Sequence, residues 1–364
     1  MLKTKLLCSL MVLGLTCTVV LAGKPAPPPV PPGKIVFVTD SGYYEMNGDG
    51  SGKKLVSNQL FDSQPRVSVL TYGSDGHRWW VGPAQNPQTL ESDIYASDGF
   101  QSIQLTSSGA RDNRDGTSTV NRFGNTPAWS NDGLDSFFSV AGTRYILDNA
   151  TGAKTRVQQV IWRVDVSALD LEQFGQAAIV PIRDGDPNVT AVVATPPDTR
   201  PAYLAQEWHS WSSDGTKVAY VALYGSPTTG KDLWVADVST VDVDGPVNAL
   251  LATQIFGSST TSTMHAGQWT PAGAAEERIA FIADALYTIR PDGTGLSRLA
   301  TTGVGIDSVF WSPDAKYVSF RYVTQKGLKY VYDIARIPAA GGSVVNLTSD
   351  MSASIPKGNL GWCY

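Results

Sequence analysis

The sequence predicts an all-β fold made of many short sheets, on three observations. Its 364 residues include 35 glycines, 22 prolines and 10 tryptophans, a composition suited to tight turns and short aromatic strands. Only 17% are charged, against roughly a quarter in ordinary globular domains, while a 42% hydrophobic share supplies a large core and excludes disorder or a collagen-like repeat. Finally, one phrase recurs six times: an aromatic residue, a small polar residue, an Asp- or Gly-bearing turn, then a short apolar strand.

The chain opens on an address. Lys3 and Lys5 precede the apolar run 6–15, and Val20-Leu21-Ala22 places small residues before a cut, the layout of a secretory signal peptide over residues 1–22. The apolar stretch 6–22, just short of the roughly 20 residues that cross a bilayer, leaves an uncleaved anchor as the competing reading; cleavage is expected because the cut-site pattern is present and a proline tract follows, with no membrane span afterwards. Cys17 follows Thr16, where lipoprotein signals carry Gly or Ala, so lipid anchoring is not expected there. Cleavage removes Cys8 and Cys17 and leaves Cys363 alone, so no intrachain disulfide supports the mature protein. Residues 23–33 include six prolines and read as an extended spacer ahead of a body spanning 34–364.

Within the body the phrase is anchored at Tyr72, Trp129, Trp211, Trp269, Trp311 and Trp362. Each turn, such as Asp75-Gly76, Asp132-Gly133, Asp214-Gly215 or Pro313-Asp314, is followed by alternating aromatic and β-branched residues, as in 217–221 and 316–320. These are hairpin signatures. Third strands follow at 93–99, 160–165, 232–237, 286–293 and 330–335, and brief fourth strands at 104–106, 298–300 and 346–348. Four-stranded units at this period predict a β-propeller of six blades, each burying its faces only against its neighbours. The anchors are 57, 82, 58, 42 and 51 residues apart; the long interval is expected to hold polar insertions at 142–156 and 184–200. The last anchor, Trp362, lacks a following strand, and the strand 34–39 lacks a preceding anchor. The C-terminal strand is therefore expected to complete the blade that the N-terminal strands begin, closing the ring.

The segments WSPDAKYVSF, WSSDGTKVAYV and LYTIRPDGTGLSRL resemble the WD40-like repeats of TolB-type propellers, over about 330 residues. That resemblance implies the six-bladed fold. The same phrase occurs in propeller domains of prolyl oligopeptidase-like enzymes and in oligogalacturonate lyases, so it does not select one activity. The chain has a proline spacer where TolB carries an α/β domain.

Charge narrows the partners. A net charge of −5 offers no positive field for a phosphate backbone, so nucleic acid is not an expected partner. Gly-x-Ser-x-Gly, the nucleophile elbow, is absent from the sequence. There are three histidines. His77 follows a turn, whereas His209, two positions before Trp211, and His265, four before Trp269, enter neighbouring inner strands. With Glu207 and Trp208 they form the candidate binding set at the mouth of a central channel. Buried imidazoles more often satisfy core groups than bind ions, so neither a metal nor another cofactor is expected. Asn47-Gly48-Asp49-Gly50 begins like a calcium loop, but its twelfth position is Asn58 and not Glu, which favours a hairpin turn; 112–116 and 184–186 read as polar loops.

The combined expectation is an exported, monomeric, non-enzymatic propeller that binds an envelope protein or peptide, in the periplasm or outside the cell. The rival expectation is a polysaccharide binder or oligogalacturonate-lyase-like enzyme working in the channel.

Overall fold

A computed structural model describes residues 33–39, 41–57, 68–71, 78–85, 92–97, 102–106, 110–131, 137–165, 189–193, 202–224, 231–238, 252–257, 264, 267–300, 305–351 and 358–363. The expected signal and proline spacer, the turns at 72–77 and 132–136, and the loop 184–186 lie outside these residues. Residues 32–364 form one compact unit, and its described part is all-β and antiparallel throughout.

Among the described residues, six sheets follow one another along the chain. Sheet I contains β1 (Lys34–Thr39), β2 (Gly42–Asn47) and β3 (Lys54–Ser57). Sheet II contains β4 (Ser68–Thr71), β5 (Arg78–Gln85), β6 (Ser92–Ser97) and β7 (Ser102–Gln104). Sheet III has five strands: β8 (Arg111–Asp112), β9 (Thr117–Trp129), β10 (Phe137–Asp148), β11 (Lys154–Asp165) and β12 (Val189–Val193). Sheet IV runs through β13 (Ala202–Trp211), β14 (Lys217–Tyr224), β15 (Lys231–Asp237) and β16 (Ala252–Gly257). Sheet V has β17 (Ile279–Ile282), β18 (Leu286–Ile289) and β19 (Ser297–Ala300). Sheet VI has β20 (Ile306–Trp311), β21 (Tyr317–Lys326), β22 (Lys329–Pro338) and β23 (Val345–Asn346). The last strand, β24 (Gly358–Cys363), returns to sheet I and pairs with β1, Ile35 opposite Trp362.

Two sheets depart from four strands. In sheet III, residues 142–156 are not the polar insertion expected from sequence. Thr143-Arg144-Tyr145-Ile146-Leu147 is rich in the β-branched and aromatic residues that favour strands, and it pairs with residues 154–159 to lengthen the β10–β11 hairpin. Only residues 149–153 turn, and β8 then pairs with the extended β9. In sheet V a single bridge between Trp269 and Ile279 stands ahead of β17, held by Ala280 N donating to Gln268 O at 2.9 Å.

The turns are built by carboxylates. Asp214 Oδ1 accepts from Ser212 Oγ at 2.6 Å, Thr216 N at 3.0 Å and Thr216 Oγ1 at 2.8 Å, around Gly215 at φ 69°. Asp314 repeats the device with Ser312 and Lys316. Asp49, Asp115 and Asp292 do so with the hydroxyl and backbone of Ser51, Thr117 and Thr294, whose donation holds these carboxyls below the ordinary range. Asp49 therefore spends its carboxylate on a hairpin turn. Asp214→Ala is expected to lower unfolding free energy by about 1–2 kcal/mol, read from urea denaturation; an unchanged midpoint would show the turn to be indifferent to its carboxylate. A second device fixes two short fourth-strand segments: Thr106 Oγ1 donates to Asp93 at 3.0 Å and accepts from Ile94 N, and Thr348 repeats this with Asp333 and Ile334.

The core lies between sheets. Phe137 and Ile161 of sheet III pack on Trp211, Tyr220 and Trp234 of sheet IV. The far face of sheet IV, with Ala219, Val221 and Leu233, meets Trp269, Ile279 and Phe281. Ala280, Ile282 and Leu286 of sheet V meet Trp311, Val318 and Phe320 of sheet VI, and Ile334 beyond them meets Ile35, Phe37 and Met46 of sheet I. β24 also lies beside β4, and β5 and β6 beside β9. Each fully buried aliphatic or aromatic side chain here contributes about 1.5–3 kcal/mol. The recurring tryptophans at 211, 269 and 311 are accordingly packing residues.

Candidate functional site

His209 lies near the end of β13, where pairing with β14 resumes opposite Tyr220 after an irregularity between Leu204 and His209. Positions 207 and 208 fall in that irregular stretch of backbone; the side chains of Glu207 and Trp208, and the whole of His265, lie outside the described residues. Of the sequence's four candidates, His209 alone can therefore be built into a site.

Its side chain is 7% exposed and points between sheets III and IV. Nε2 lies 2.7 Å from Ser139 Oγ on β10. The same oxygen accepts from Trp211 Nε1 at 2.7 Å and donates to Ala128 O at 3.2 Å. Indole N–H only donates and the serine proton goes to the carbonyl, so the imidazole donates through Nε2. Nδ1 is then a bare lone pair, buried and without a hydrogen-bond partner among the described residues. Phe137 meets Trp211 edge-on at 4.8 Å, and the Arg163 guanidinium sits 3.9 Å above the Phe137 ring. Tyr220, opposite His209, is pushed well above the usual phenol range by burial.

Burial drives the His209 imidazole down from 6.5 to about 4, against a weaker opposing effect of the Ser139 contact. It is neutral in the folded protein and serves as a packing and hydrogen-bonding group. Between about pH 6.5 and 4 the unfolded chain binds a proton that the folded chain does not, so stability is full above this window and falls as pH falls through it. The loss attributable to His209 is about 3 kcal/mol. Urea midpoints at pH 7 and 4.5 should show this loss for the native protein and a smaller one for His209→Gln; equal losses would assign the acid sensitivity elsewhere. Among the described residues no three of His, Cys, Asp and Glu converge as metal ligands.

A second feature has a different character. A groove of about 490 Å³ runs between sheets V and VI, lined by the turns that join their strands. Its lining mixes the methyl groups of Ala274, Ala275, Ala315, Ala339 and Ala340 with the polar side chains of Thr270, Thr288 and Ser297. Trp311, also lining it, is buried to 3% exposure and donates Nε1 to Gln268 O at 2.8 Å. The charged wall is Arg278 with Glu276. Arg278 donates from Nε to Thr288 Oγ1 at 3.3 Å, from Nη1 to Glu276 Oε2 at 3.1 Å and from Nη2 to Gly295 O. Glu276 also accepts from Arg290 Nε, and these two arginines hold its carboxyl below the ordinary range. Sequence reasoning did not single out Arg278 or Glu276 as site residues. The nearest signal was Arg278 and Arg290 flanking one hairpin with Glu276 beside them, but the alanines come from turns far apart in sequence.

No protein-family model and no curated relative matches the chain. Among solved structures it is similar to TolB from Acinetobacter baumannii, at 14% identity and a TM-score of 0.44, covering 86% of this chain and 68% of that one. A structure described as TolB from Agrobacterium tumefaciens is similar at 13% identity and a TM-score of 0.41, covering 86% and 88%. An oligogalacturonate lyase in complex with manganese is similar at 14% identity and a TM-score of 0.35, covering 79% and 74%. TolB proteins, which the repeat phrases resemble, are thus among the structures this chain is similar to.

Proposed function

We propose that the chain is an exported, non-enzymatic six-bladed β-propeller, closed where β24 joins β1, that serves as a peptide-binding scaffold in the cell envelope. The ring reading draws support from the succession of inter-sheet contacts, each sheet meeting the next and sheet VI meeting sheet I. Asn131 Nδ2 adds to it by donating to the Trp269 and Thr270 carbonyls, linking sheet III to sheet V past sheet IV, as a residue near a shared axis would. Export rests on the signal-like residues 1–22.

The observation that carries the binding role is the groove between sheets V and VI: a concavity on a rigid β scaffold, where alanine methyls stand beside a fixed Arg278–Glu276 pair. Channel chemistry through His209 is the weaker reading, because its ring is buried against Ser139. The test is selection of a random peptide library on the folded full chain beside an array of acidic oligosaccharides. Enrichment of a related peptide family supports the scaffold reading. Retention of oligosaccharides with formation of unsaturated sugar ends overturns it in favour of a lyase.

A further inference from the structure

We infer that the groove between sheets V and VI binds the free C-terminal carboxylate of a peptide ending in small apolar residues, with Arg278 as the carboxylate anchor. This rests on the peptide-scaffold reading and deepens it.

The first argument is the state of Arg278. Three of its five N–H groups are committed, one each on Nε, Nη1 and Nη2. One N–H on each terminal nitrogen therefore lacks a partner among the described residues. A guanidinium tethered at three points loses little freedom on binding, and a planar carboxylate matches a guanidinium better than it matches an ammonium. Ser297, also lining the groove and exposed, offers a hydroxyl for a further bond.

Five alanine methyls line the groove and accept small apolar side chains beside the carboxylate. Trp311 is too buried to present the open ring face on which a sugar would stack.

The test is fluorescence polarisation of an N-terminally labelled Gly-Ala-Ala tripeptide on the full chain, as the free acid and as the C-terminal amide, with unlabelled trigalacturonate as competitor. The free acid is expected to bind at least tenfold more tightly than the amide, with trigalacturonate a poor competitor. Arg278→Gln should abolish the difference between acid and amide, and Glu276→Gln should tighten the acid. Ala275→Phe, at an exposed wall position, should block both peptides while leaving thermal unfolding unchanged, so the inference does not depend on Arg278→Gln folding normally. Equal binding of acid and amide, binding of neither, or trigalacturonate displacing the acid more strongly than unlabelled free-acid peptide does would overturn it. If library selection yields peptides whose binding ignores their C terminus and Arg278, the scaffold reading stands and this inference falls.

Discussion

Gly267→Ala should be among the most damaging single substitutions in the chain, lowering unfolding free energy by about 3 kcal/mol or more. A methyl group built on Gly267 would sit 1.1 Å from the Ala280 carbonyl oxygen and 2.1 Å from its carbon. Both neighbours are backbone, and Ala280 N is bonded to Gln268 O at 2.9 Å, so relief requires separating the bridge region from β17 and not merely turning a side chain. The buried residues Trp269, Ile279 and Phe281 would move with it. Chemical denaturation should show a large fall in midpoint, whereas Gly273→Ala, whose added methyl meets no atom within 4 Å, carries only the smaller penalty of its φ of 86°. Similar midpoints for the two variants would show that the close approach at Gly267 is not a constraint.

The second large effect is expected at Val36→Pro. β1 is an inner strand, with Val36 opposite Glu45 of β2 on one side and Gly361 of β24 on the other. Proline has no N–H to give to the ladder, its ring crowds the neighbouring strand, and Val36 is buried. A loss of about 3 kcal/mol or more follows. Lys34→Pro, at the first residue of the same strand, is the matched control and should cost much less. Thermal unfolding of both decides the matter: equal melting temperatures would mean that β1 is not held from both sides.

The fold was more legible than the site. Strand identity is a local property, set by alternation and by turns whose carboxylates bond two residues away, and the strand at 34–39, the hairpin after Trp211 and the Pro313-Asp314 turn are all present. Local signals misjudged residues 142–156, because arginine, lysine and threonine on a strand that extends beyond its neighbours look like loop residues until the partner strand is known. The orientation of His209 depends on a pairing irregularity and on Ser139, 70 residues upstream; neither is written near the histidine. The groove was invisible for the same reason, since Arg278, Ser297, Ala315 and Ala340 become neighbours only when two sheets pack face to face.

The pairing of β24 with β1 sets an order of events. Residue 363 is synthesised long after residue 34, and they are partners, so β1 keeps a bare row of amides and carbonyls until β24 has emerged. Such a row is a template for pairing with a second chain and an opening for proteases. Bringing such distant segments together is entropically slow, so the final latch, and not the earlier hairpins, governs how long the newborn polypeptide stays vulnerable and how readily two copies could trade their last strands.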